Sequence, residues 1–197
     1  MPTYPRSSVW HAARVTAPNG PAHLGPRRVV LVGMMGAGKS TVARMLAEAF
    51  GCPALDTDEM VERRVGMTVA EMFADEGEGR FRAAESQAIG ELASFEGPLV
   101  ASVGGGAVLS EANRAALRSV GTVVWLRALP ATLARRVGRG TGRPLLKRAG
   151  AGPLEALAQI AEVRQALYQE VADLVVDVDG LSSRQVAREL LTLLAPV

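Results

Sequence analysis

Lysine is nearly absent from this 197-residue chain: of 22 basic residues only Lys39 and Lys147 are lysines, and the rest are arginines. Acidic residues are missing from the first 47 positions, where six cations (Arg6, Arg14, Arg27, Arg28, Lys39 and Arg44) stand unopposed. The remainder carries 16 basic against 20 acidic residues, so the formal net charge of +2 is an N-terminal feature. That distribution excludes the molecule-wide basic field of a nucleic-acid binder. A single cysteine, Cys52, excludes an intrachain disulfide and a cysteine-based zinc site, and it fits a reducing compartment. No apolar run approaches the roughly 20 residues that span a bilayer. A chain working in the cytoplasm, with no nucleic-acid or membrane partner, is therefore expected.

What is present reads as an ordinary globular chain, 48% hydrophobic and 21% charged, long enough for one domain with a sizeable core. Residues 1–26 hold five prolines and no sustained period, which predicts a disordered or loosely docked extension. The domain is placed at 27–197. Val29-Val30-Leu31-Val32 is a short apolar run entering a glycine-rich turn, as a buried parallel strand does. Similar runs recur at 99–103, 122–126 and 174–178, with a weaker one at 53–55. Helical patterns fall at 39–50, 58–64, 68–75, 80–95, 111–118, 130–138, 154–170 and 183–194. Strands alternating with helices predict an α/β fold with a parallel sheet covered on both faces. The Gly/Arg-rich stretch 138–152 is too polar for core and too long for an idle connection, so it is a candidate mobile lid.

Gly33-Met34-Met35-Gly36-Ala37-Gly38-Lys39-Ser40 matches G-x-x-x-x-G-K-S/T, followed by Thr41, between a strand and a helix. Glycines let successive backbone N–H groups turn inward toward phosphate oxygens, and the helix start adds its positive dipole end. In this arrangement Lys39 reaches the β- and γ-phosphates and Ser40 ligates Mg²⁺, so a nucleoside triphosphate site is expected, lined by Gly36, Ala37, Gly38 and Thr41. Asp56-Thr57-Asp58 follows the second strand and faces the same crevice. Asp56 is assigned to Mg²⁺ through water and Asp58 to an acceptor hydroxyl. A helix N-cap is the alternative for this triplet.

These residues resemble those of shikimate kinases, small members of the nucleoside-monophosphate-kinase branch of P-loop proteins, from about Val29 onward. Asp56-Thr57-Asp58 looks like the family's D-x-D. The segment from Glu76 to Glu85 looks like its G-E-x-x-F-R-x-x-E. Gly104-Gly105-Gly106 resembles its triple glycine, Arg143-Pro144-Leu145-Leu146 its R-P-L-L, and Arg164-Gln165-Ala166-Leu167-Tyr168 its R-x-x-L-Y. The resemblance implies a five-stranded parallel sheet of order 2-3-1-4-5, a substrate lobe near 57–96 and a lid near 138–152. It also implies ATP and Mg²⁺, and an acceptor, shikimate, that carries one carboxylate and three hydroxyls.

The resemblance places Arg82 and Arg164 on that carboxylate, where planar guanidinium forks are well suited. It puts Glu85 against Arg82, the glycines 104–106 where a side chain would collide with the ring, and Asp58 on the 3-hydroxyl. Arg143 is assigned to charge neutralisation during transfer and Arg136 to stacking on adenine. A surface ion pair for Arg82–Glu85, a merely flexible glycine loop and a solvated face at Arg136 are the competing readings. The loop 179–183 lacks the basic side chain that some family members set against the nucleotide. The expected activity is direct, in-line phosphorylation of shikimate, with a gluconate-type kinase or a silent nucleotide switch as the alternatives.

Overall fold

The computed structural model describes residues 15–17, 28–138 and 152–194. The strands are β1 (Val15–Thr16), β2 (Arg28–Val32), β3 (Ala54–Asp56), β4 (Leu99–Ser102), β5 (Thr122–Arg127) and β6 (Leu174–Asp177). The helices are α1 (Lys39–Phe50), α2 (Thr57–Val65), α3 (Val69–Asp75), α4 (Gly77–Ser94), α5 (Glu111–Val120), α6 (Pro130–Val137), α7 (Pro153–Val171) and α8 (Ser183–Leu193). Each sequence-predicted helix from Lys39 onward is present, with its ends at most three residues from the expected positions.

Burial on both faces explains the apolar runs. Val29, Val30, Leu31 and Val32 are at most 2% exposed, with helices on either side of the sheet. β2 pairs in parallel with β4 on one side and β5 on the other, while β3 extends the first edge and β6 the second. Counting the five parallel strands alone, the order is the expected 2-3-1-4-5. The sheet itself has six strands, which corrects the expected five. Val15 and Thr16 pair antiparallel with Val176 and Val175, so a short piece of the N-terminal extension closes the open edge of β6. A two-residue strand has no period to read, and its reason is tertiary: an uncovered edge leaves a row of unpaired backbone groups.

A second, smaller cluster joins Val61, Met72, Phe73, Phe81, Ala84 and Ala88 beneath α2, α3 and α4. It packs the N-terminal half of α4, whose Ile89 and Leu92 enter the main core, and so helps set where Arg82 and Glu85 point. Among the described residues no helix is long and apolar enough to cross a membrane.

Arg28 binds the ends of two helices to β2. Its guanidinium donates to the carbonyls of Leu92 at 2.8 Å, of Phe95, and of Val120 at 2.5 Å. These carbonyls lie at the C-terminal ends of α4 and α5, where the helices run out of N–H donors of their own; that of Leu92 also accepts the Phe95 N–H at 3.4 Å. Arg28→Ala should therefore cost about 2–4 kcal/mol, because charge-assisted bonds are lost and buried acceptors are stranded. A urea midpoint unchanged by the substitution would show that water replaces the guanidinium without penalty.

Candidate active site

The loop after β2 forms a backbone nest. Gly38 caps α1 with φ 95°, a left-handed conformation that an L side chain resists. No acidic residue lies in the first turn of α1, so the positive end of the helix is not neutralised from within. The Lys39 ammonium folds back over the loop, donating to the carbonyls of Gly33 at 2.9 Å and Met34 at 3.1 Å. Ala37 is 3% exposed, whereas Thr41 is exposed on the first turn of α1.

Asp56 uses its two oxygens separately. Oδ1 accepts from the Asp58 N–H at 3.0 Å and caps α2, while Oδ2 accepts from the Ser40 hydroxyl at 2.7 Å. The Ser40 Oγ also lies 3.2 Å from Ser102 Oγ. Ser102 is the register partner of Asp56 in β4 and only 3% exposed. Sequence reasoning missed it, although a hydroxyl interrupting a buried apolar run at the end of a strand was a usable signal.

Asp58 lies beyond the cap with its Oδ1 buried and without an acceptor's donor among the described residues. Burial, reinforced by the Asp56 charge and opposed by Lys39, pushes its carboxyl up to about 6. Glu85, fully buried on α4, leaves Oε1 in the same condition, and burial pushes it up to about 7 against the pull of Arg82. Both bare oxygens flank one point. A Cβ added to Gly104 would fall 2.9 Å from Asp58 Oδ1 and collide with Glu85 Oε1. Thr57 holds that glycine in place, its buried hydroxyl accepting from the Gly104 N–H at 2.9 Å.

The two arginines meet the same glycine run from opposite helices. Arg82 on α4 donates through Nη1 to Glu85 at 2.7 Å and through Nη2 to Glu78 at 3.1 Å. Its guanidinium lies so close to Gly106 that any Cβ there would strike it. Arg164 on α7, 6% exposed, donates through Nη1 to the Gly105 carbonyl at 2.9 Å. Tyr168, one turn further along, donates to that same carbonyl at 2.6 Å and stacks on Trp125 at 5.5 Å. Burial pushes the phenol up to about 12, which keeps it a donor. The triple glycine is thus a fixed element held by three side chains, those of Thr57, Arg164 and Tyr168, and not a loose loop.

At the opposite end of the crevice, Arg136 donates to the carbonyls of Val178 and Leu181, each at 2.9 Å, and more weakly to Gly36 at 3.4 Å. It ties the phosphate loop to the turn after β6. Asp179 in that turn accepts from the Leu129 N–H at 3.1 Å. Arg143 lies outside the described residues, as does most of the stretch expected to form a lid.

A parallel sheet of this order, with a Gly-x-x-x-x-Gly-Lys-Ser loop at its switch point and two arginines and two buried carboxylate oxygens gathered at the glycine run beside it, defines a P-loop phosphotransferase. The comparisons narrow the class. The protein-family model for shikimate kinase matches residues 35–195. The shikimate kinase of Pseudomonas fluorescens (strain Pf0-1) is 43% identical over 169 residues, 86% of this chain and 96% of that protein. Among solved structures, the shikimate kinase from Acinetobacter baumannii in complex with shikimate superposes with a TM-score of 0.80 at 38% identity, covering 85% of this chain and 92% of that one. A gluconokinase from Sinorhizobium meliloti 1021 gives a TM-score of 0.53 at 26% identity, covering 86% and 92%. The chain belongs to the shikimate kinase family.

Proposed function

We propose that the protein transfers the γ-phosphoryl group of ATP to the 3-hydroxyl of shikimate, directly and in line, without a phosphoenzyme. The observation that carries this reading is the arrangement around Gly104–Gly106. Two arginines fit for a carboxylate and a bare carboxylate oxygen fit for a hydroxyl converge on these three glycines. Arg82 and Arg164 hold the acceptor's carboxylate, the glycines admit its ring, and Asp58 accepts the hydrogen of the attacking hydroxyl. Lys39 leaves the loop carbonyls for the β- and γ-phosphates, and the backbone N–H groups of Gly36 to Thr41 cradle them. Arg136 keeps the nucleotide end of the crevice assembled and is available to adenine. Arg143 keeps the role that the family resemblance assigns.

The residues present fit a magnesium ion. Ser40 and Asp56 offer hard oxygens already hydrogen-bonded to one another, and among the described residues no group of three His, Cys, Asp or Glu forms a dedicated cage. That suits an ion held by one or two protein oxygens together with phosphate and water. When bound, Mg²⁺ supplies positive charge to the phosphate oxygens. We further assign α2–α4 as the acceptor lobe and 138–152 as the lid of a single domain, working as a monomer in the cytoplasm.

A coupled assay of ADP release tests the proposal, with shikimate and gluconate as competing acceptors. Turnover is expected with shikimate; turnover with gluconate and none with shikimate would sink the reading. Arg82→Ala and Arg164→Ala should each raise the shikimate KM by about 10- to 100-fold, the loss of a charge-assisted contact, and disturb the ATP KM far less. Equal loss of both affinities would make the arginines structural.

A further inference from the structure

Arg82 is held by two carboxylates of different character. Glu85 is fully buried, three residues on, and takes Nη1 at 2.7 Å. Glu78, four residues back, is 34% exposed and takes Nη2 at the longer distance of 3.1 Å. The Nε between these contacts and the backbone is buried with no acceptor among the described residues. A guanidinium presents its nitrogens in pairs to a planar carboxylate, and such forks are its strongest contacts. Here neither carboxylate takes a full pair, so the donor set of Arg82 is only partly satisfied. Its neighbour Arg80 shows what an ordinary pair at this spacing looks like. Arg80 and Glu76 are 56% and 39% exposed, away from the glycine run.

We propose that Glu78 is a placeholder for the acceptor: its carboxylate occupies the Arg82 nitrogen that the acceptor's own carboxylate takes, and binding exchanges one for the other. The inference rests on the reading above, that Arg82 grips an acid. Glu85 stays, because a fully buried carboxylate cannot follow its charge into water. Glu78 leaves, because its exposed part already meets solvent and rehydration costs it little. Freed of Glu78, the guanidinium can turn its Nε–Nη2 edge to the incoming acid and form the pair it lacks.

An acceptor with a carboxylate replaces like with like, whereas a neutral polyol has no charge with which to displace Glu78. The placeholder therefore lowers the affinity of an acid, which must displace it, and leaves that of a neutral polyol where it is. It also keeps the arginine ordered in the empty site, at the cost of some affinity.

The test is calorimetric titration of shikimate into the full-length protein with ADP present. Glu78→Gln should tighten the shikimate Kd by about 3- to 5-fold, the range of a partly exposed ion pair. The same substitution should give no gain with the methyl ester of shikimate, which keeps the hydroxyls and lacks the charge. Glu76→Gln, at the neighbouring pair, should leave both values where they are. An unchanged shikimate Kd in Glu78→Gln would overturn the inference and leave a surface ion pair. A weakened Kd would overturn it in the other direction, making Glu78 a positioning residue for Arg82. A protein that binds no shikimate at all, before any substitution, would remove the functional reading and this inference together.

Discussion

Asp58→Asn should lower kcat with shikimate by about 100- to 10,000-fold, the usual span for removing a group that handles the proton of a reacting hydroxyl. The amide keeps the size and the cap above it but cannot accept a proton. Asp58 is placed for this task by Asp56, whose Oδ1 receives its N–H at 3.0 Å, and by the closeness of Gly104. Its carboxyl is raised from 3.8 to about 6, chiefly by burial. Two consequences of sign follow. In the free enzyme kcat/KM should decline as pH drops below about 6, since the protonated acid no longer accepts the hydroxyl hydrogen.

Stability runs the opposite way. A carboxyl with a raised folded-state pKa contributes stability below its unfolded value of 3.8 and loses it as pH rises through about 6. At neutral pH the ionised Asp58 therefore costs the fold on the order of 2–3 kcal/mol, which the amide relieves. The variant should melt several degrees higher while nearly inactive. Steady-state rates and a calorimetric melt, both at neutral pH, check the pair of expectations. A variant with unaltered kcat would take Asp58 out of the reaction.

Lys39→Ala should reduce kcat by about 100- to 1,000-fold, the cost of deleting one preorganised donor from a developing charge. In the empty site the ammonium is already poised over the loop, on the carbonyls of Gly33 and Met34. It needs only a short swing to follow the phosphates, so little ordering is lost in the reaction. Lys39→Arg should recover little, because a planar fork does not fit a site shaped for a compact ammonium. Single-turnover measurement at saturating ATP separates loss of chemistry from loss of binding. Recovery of the full rate at high ATP would mean that Lys39 binds nucleotide and does nothing more.

Much of this site was legible before any coordinates. The spacing of Gly33 to Ser40 between an apolar strand and an amphipathic helix dictates a phosphate loop, since each element is a local consequence of residue type. Lys39 stands out further because lysine is so scarce in the chain. The motifs carrying Asp58, Arg82, Gly104–Gly106 and Arg164 were likewise identifiable in order. What the motifs could not convey was partnership. Asp56 looked like either a cap or a ligand, and only the approach of α1 to β3 brings Ser40 to its second oxygen. Ser102 was invisible as a functional candidate because its meaning comes from its register with Asp56, 46 positions earlier in the chain. Arg136 seemed an aromatic-stacking residue or surface noise. The turn after β6 makes it a tie between carbonyls.

The sequence by itself determined the local and repetitive features: which segments are strands and helices, where the Gly-x-x-x-x-Gly-Lys-Ser loop falls, and which motif positions carry charge. Those follow from backbone sterics and the period of burial, which act over a few residues. Tertiary structure alone decided which charges are satisfied. It left one oxygen each of Asp58 and Glu85 bare at Gly104, set Glu78 and Glu85 on different nitrogens of Arg82, and drew Val15–Thr16 onto the sheet edge. Burial and pairing are properties of surroundings assembled from distant parts of the chain, and no window of sequence contains them.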